Sequence, residues 1–190
     1  MNAPGYIPLA RVYLMLSNQQ QGVLRGMLLA LVVTVIGFAS IIFWQPLLLA
    51  PVETPLAAVA VALKWDILLV SCLAGNIAII ARHRFITPED IDGGGLTEGT
   101  AKVRVYQATL QNTLEQTVLA ISTHAIWAVT MPWGWQGVVA VATVLFFVGR
   151  LLFWHGYASG AAARALGFAL TFYPSLLMLF MLGIHLVWAL

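Results

Sequence analysis

Five apolar stretches, at about 23–45, 56–81, 105–131, 136–155 and 164–190, leave this chain few ways to fold in water. Each is long enough to cross a hydrocarbon core, which takes roughly 20 apolar residues in a helix. None shows the strict alternation of a membrane β-strand. Of the 190 residues 61% are hydrophobic and only 8% charged, and seven are Trp, far from the composition of a soluble domain. The expected fold class is an all-α, multi-pass integral membrane protein.

The first stretch, "GVLRGMLLALVVTVIGFASIIFW", is too long for a signal-peptide core and lacks a convincing cleavage site, so it is expected to remain as an anchor. Residues 1–20 mix Tyr, Leu and Gln around prolines, which suits a short interfacial segment better than a sixth span. No low-complexity linker or change in composition divides the chain. A formal charge of +2 gives no general basic surface, which argues against nucleic acid as a partner. The single cysteine, Cys72, rules out an internal disulfide and reads as a small buried residue.

With five spans, Arg11, Arg25, Arg82, Arg84, Lys102, Arg104, Arg150 and Arg164 fall on one side. Translocated loops carry few Lys and Arg, so that side and the N-terminus are expected to be cytoplasmic, with the cell inner membrane as the expected location. The one long connection, "ARHRFITPEDIDGGGLTEGTAKVR", carries both charge signs and reads as a solvated loop.

The third span opens "VRVYQATLQNTLEQT". At 100° per residue, Arg104, Gln107, Thr109, Gln111, Asn112, Glu115 and Gln116 cover about half of the helix, an arc that cannot face lipid. Glu115 lies about 16 Å along the helix from Arg104, too deep for its short side chain to snorkel. It needs a cationic partner or a watery cavity. An ionisable group inside a span costs a few kcal/mol, on the order of 2.5–3.5 on insertion scales, and commonly serves a pathway, a pair or a site. Arg164, in the first turn of the last span, is the natural partner. Arg104, Asn112, Glu115, Arg150, Tyr157 and Arg164 are expected to converge near the cytoplasmic face. Spacing alone leaves open whether they form a site or only join helices through buried hydrogen bonds and ion pairs.

"RLLFWHGYASGAAARALGF" resembles the closing motif of the MAPEG family, the membrane-associated proteins of eicosanoid and glutathione metabolism: an Arg, an aromatic, Gly-Tyr, then an Arg seven residues after the Tyr. "QNTLEQ" is similar to that family's Asn-x-x-Glu motif, and "ARHRF" before a polar loop resembles the end of its first helix. The resemblance covers roughly 56–190. It divides the chain into 1–50, an interfacial segment plus an additional N-terminal transmembrane helix, and 51–190, a MAPEG-like four-helix bundle.

What the resemblance implies is a homotrimer that holds glutathione, as cosubstrate, between subunits. Arg82, Arg104 and Arg150 would take its carboxylates, Glu115 its ammonium and Asn112 a peptide group. Arg164 would favour the thiolate and Tyr157 would hydrogen-bond the same substrate, the two catalytic positions. The second reactant would be a lipophilic small molecule arriving from membrane lipid, for conjugation or peroxide reduction. Ala108 stands where relatives often carry an Arg, and Phe153 where one member has a Tyr. A non-catalytic lipid-binding or scaffold protein of the same fold is the alternative, because one family member binds lipid without catalysis. A transport or proton-relay role for Glu115 is a third reading.

His124 and His185 are isolated in their spans with no ligand-spaced His, Cys or carboxylate, so no metal site is expected. Hydrogen-bonded core histidines are the better reading. Lys64 and Asp66 are expected at an interface or against another helix, and Pro174 inside the last span.

Overall fold

The computed structural model describes residues 16–48, 52 and 54–188, without the side chains of 45–48. Within these residues there are five long helices: α1 (Asn18–Leu48), α2 (Pro55–Ile86), α3 (Ala101–Thr130), α4 (Gly137–Gly156) and α5 (Ala161–Trp188). Residues 1–15 of the expected interfacial segment lie outside them.

The helices run past their apolar centres because their ends are locally well specified. At α1, Ser17 Oγ accepts from the Gln20 amide at 3.2 Å while Gln20 Oε1 accepts from the Ser17 amide at 2.9 Å, a reciprocal box that satisfies two otherwise orphaned donors. Thr54 caps α2 by accepting from the Ala57 amide, with Pro55 as the first helical residue. Pro88 holds Thr87 in an extended conformation and ends α2. Thr100 caps α3 through the Val103 amide, and Pro132 follows its last turn. Gly160, at φ 100°, turns the chain from α4 into α5.

The helices alternate in direction, so the start of α1, the end of α2, the start of α3, the end of α4 and the start of α5 share one end of the bundle. α5 is the hub: α4 packs along one side, and α1 and α3 flank it without packing along each other. The α1 seam has a four-residue period. A Cβ on Gly22 would fall 2.7 Å from Ala162 Cβ, and one on Gly26 would fall 2.9 Å from the Leu166 amide nitrogen, so only residues this small let α1 lie directly on α5. Ala30 and Thr34 continue the seam, fully buried.

Polarity is distributed as a membrane demands. The outer faces of α1 and α2 are largely apolar, with Leu28, Val32, Ile36, Leu56 and Ile67 exposed, whereas several polar side chains turn inward and pair. Asp66 and His124 meet at 2.6 Å in full burial between α2 and α3, the helix-to-helix placement open to Asp66 and the core role expected of His124. Asn76 donates to Thr113 at 2.8 Å. Cys72 is buried against Leu69, Ala120 and Phe146. Among the described residues four helices carry stretches long and apolar enough to cross a membrane; α3 is of similar length but more polar, and its polar face is the one that matters below. The protein is an all-α integral membrane protein.

Candidate functional site

A cleft of about 610 Å³ opens between α1 and α3, with α5 as its floor. Helical periodicity builds each wall. α3 supplies Ala108, Gln111, Asn112 and Glu115, spaced i, i+3, i+4, i+7; α5 supplies Ala161, Arg164, Ala165, Phe168, Ala169, Phe172 and Tyr173 on one face. The end of α4 and the turn after it add Phe153 and Tyr157, and α1 adds Val23 and Met27.

The polar groups are gathered rather than scattered. Glu115 is exposed to the cleft and accepts from Gln111 Nε2 at 2.8 Å. The Arg164 guanidinium lies over the Tyr157 ring, 4.4 Å from its centroid, which neutralises little charge but fixes the direction of the fork. The direct Glu115–Arg164 pair expected from the sequence is not formed; among the described residues neither enters an ion pair. Each has another partner instead: Arg164 lies over the Tyr157 ring, and Glu115 accepts from Gln111 on its own helix.

Arg150 stands behind this surface. It is fully buried, its Nη1 donates to Asn112 Oδ1 at 2.8 Å and its Nη2 to Thr171 Oγ1 at 2.5 Å. Its guanidinium also lies 4.4 Å from the Phe153 ring centroid and 5.7 Å from that of Phe146. Phe153 thus serves as an aromatic face for a cation. Because guanidinium only donates, the Asn112 carbonyl must face Arg150, which leaves the amide NH2 without a protein partner among the described residues.

Of the residues singled out from the sequence, Arg164, Tyr157, Asn112 and Glu115 come together on the cleft, and Arg150 reaches it through Asn112. Arg104 does not: it is exposed and turns back to donate to the carbonyls of Gly99, at 2.7 Å, and Glu98. Arg82 is exposed on α2 and lines no part of the cleft. Four apolar contributors, Met27, Val23, Phe168 and Phe172, carried no signal, because a residue facing a cleft and one facing lipid look alike in sequence.

A second cluster ties the α2–α3 loop down. Asp90 Oδ1 accepts from the Thr100 amide and Oδ2 from Thr100 Oγ1, each at 2.7 Å, while His83 Nε2 meets Oδ2 at 2.9 Å. Burial acts to raise the Asp90 carboxyl, but the Thr100 hydrogen bonds and His83 outweigh it and hold it below the usual carboxylate range.

No curated protein and no solved structure matches the chain. The MAPEG family model matches residues 55–184, all of α2, α3 and α4 and most of α5; over two thirds of its length, therefore, the chain belongs to the MAPEG family.

Proposed function

We propose that the cleft binds glutathione and activates its thiol for conjugation to, or peroxide reduction of, a lipophilic second substrate. The observation that supports this most is that Glu115 and Arg164 line one cleft without pairing to each other. Opposite charges left apart in a membrane bundle call for a ligand carrying both signs. Glutathione does so, with two carboxylates and one ammonium. Its net charge of −1, with the thiol protonated, complements a cleft flanked by Arg150, Arg164 and Glu115, whose formal charges leave one positive.

In this reading Glu115 takes the ammonium, the free Asn112 NH2 donates to a peptide carbonyl, and Arg150 holds Asn112 in the donating orientation. Arg164 stabilises the thiolate, and Tyr157 both orients Arg164 and hydrogen-bonds the substrate. A thiol of pKa about 8.5 needs a stable anion to react at neutral pH, and a fixed cation supplies that stability. Arg82 and Arg104, which line no part of their own cleft, would meet a carboxylate held by a neighbouring copy in the trimer that the family implies. The cell inner membrane is the proposed location.

The cleft's aromatic walls also suit the rival reading, a lipid-binding protein without chemistry. Titration of the purified protein with glutathione decides between them: saturable binding supports the proposed function, and its absence favours the lipid carrier.

A further inference from the structure

The cleft has a wall from outside the family region. The matched region begins at residue 55, yet Val23 and Met27 of α1 face the same cavity as Arg164 and Glu115. Their placement follows from the α1 seam. Gly22 and Gly26 press directly on α5, and a residue one step further along a helix is turned by about 100°. Val23 and Met27 are therefore carried off the seam onto the flank of α1 that borders the cleft.

Beside that flank the α5 floor of the cleft is aromatic. Phe168 and Phe172 stack with centroids 5.8 Å apart at 29°, and the Phe172 and Tyr173 centroids are 6.1 Å apart. The polar groups lie on α3 and at the start of α5, so a ligand running along α5 passes from a charged region to one lined by aromatic side chains and Met27. Aromatic side chains and polarisable sulfur favour π-systems over saturated chains.

We infer that Val23 and Met27 are specificity-determining residues: α1 closes the family site on its apolar side and shapes it into a slot for a flat aromatic or conjugated lipophile. That this ligand is the second substrate rests on the glutathione reading; the slot itself does not. The lipophile then lies along the aromatic floor with Val23 and Met27 bounding it on the α1 side.

The test uses the full chain in nanodiscs, with 1-pyrenebutyrate as the flat probe, dodecanoate as the saturated competitor and empty nanodiscs as background. Wild type is expected to bind pyrenebutyrate saturably, with dodecanoate at least tenfold weaker as a competitor. Met27→Trp, which fills the slot, should weaken pyrenebutyrate at least tenfold and leave glutathione affinity within twofold. Ile36→Trp, at a lipid-facing position of the same helix, should change neither. Val23→Phe provides a second narrowing variant should Met27→Trp fail to fold. No saturable pyrenebutyrate binding, equal competition by dodecanoate, an unchanged affinity in the narrowing variant, or an equal loss in Ile36→Trp would each overturn the inference. Loss of pyrenebutyrate in Met27→Trp from a wild type that never binds glutathione would support the slot and sink the glutathione reading.

Discussion

Arg150 Nη1 donates to Asn112 Oδ1 across 2.8 Å, joining a fully buried guanidinium on α4 to a wall residue of the cleft on α3. This single bond connects the stability of the bundle to the orientation of a cleft-facing amide. Replacing Arg150 with Met keeps the apolar stem but strands Asn112 Oδ1 and removes the donor to Thr171. Hydrogen bonds to a charged group contribute about 1.5–3 kcal/mol each, so Arg150→Met should destabilise the protein by at least about 1.5 kcal/mol. Thermal unfolding in detergent checks this, and a melting temperature equal to wild type would show that the buried cation is dispensable.

Glu115 offers the opposite case. It is exposed to the cleft and its recorded partner is Gln111, on its own helix. Glu115→Gln should leave stability within about 0.5 kcal/mol. It should weaken glutathione by the value of one charge-assisted hydrogen bond, about 1.5–3 kcal/mol, or roughly ten- to a hundredfold. Calorimetric titration alongside a melting curve separates the two effects; a stability loss with unchanged affinity would make Glu115 a helix anchor.

For Arg164, the readout is the thiol. A shift of two pKa units corresponds to about 2.7 kcal/mol. Arg164→Ala should return the pKa of bound glutathione towards about 8.5 while retaining binding, and Arg164→Lys should keep part of the shift, since it retains charge but loses the planar fork. Ultraviolet absorbance of the thiolate during a pH titration measures this. An unshifted thiol in the wild-type complex would contradict the role proposed for Arg164.

The loop cluster predicts an acid-sensitive latch. The Asp90 carboxyl lies below its ordinary value of about 3.9, so its contribution is fully present above that value and disappears as pH falls through the lower folded one. Exchange protection of the Thr100 amide, corrected for intrinsic rate, should stay constant above about pH 5 and decline below about pH 4. In Asp90→Asn it should be low throughout. Protection in that variant matching wild type at neutral pH would show that the carboxylate does not hold the loop.

Much of the site was legible because two kinds of spacing survive folding. Asn112 and Glu115 share a face of α3 by their three-residue interval, and the short turn at Gly160 brings Tyr157 and Arg164 together whatever else happens. The expected convergence of Arg104 was lost to local chemistry, since its guanidinium donates to the carbonyls of Glu98 and Gly99 just before its own helix. Arg150 was placed at the right depth, but not behind the surface, because periodicity does not say that Thr171 and Asn112 would claim both of its terminal nitrogens. The helix ends extended beyond the apolar stretches because caps such as Ser17 and Thr100 set them, not hydropathy.

Gly149, Gly156 and Gly167 let the backbones of α4 and α5 touch: a Cβ on Gly149 would meet the Gly167 carbonyl at 2.8 Å, one on Gly156 the Ala163 carbonyl, and one on Gly167 the Phe153 amide nitrogen. A seam of bare backbone contains no side chains that could exchange rotamers, so the two helices have little to slide upon and travel as one plate. Tyr157 and Arg164 ride on that plate and keep their mutual geometry while the bundle breathes. α1 is fastened to α5 by its own small-residue seam at Gly22 and Gly26, so opening falls to α3, the wall that packs least on the plate. The Tyr157–Arg164 corner is thus the fixed part of the cleft, and Glu115 sits on the wall that can move.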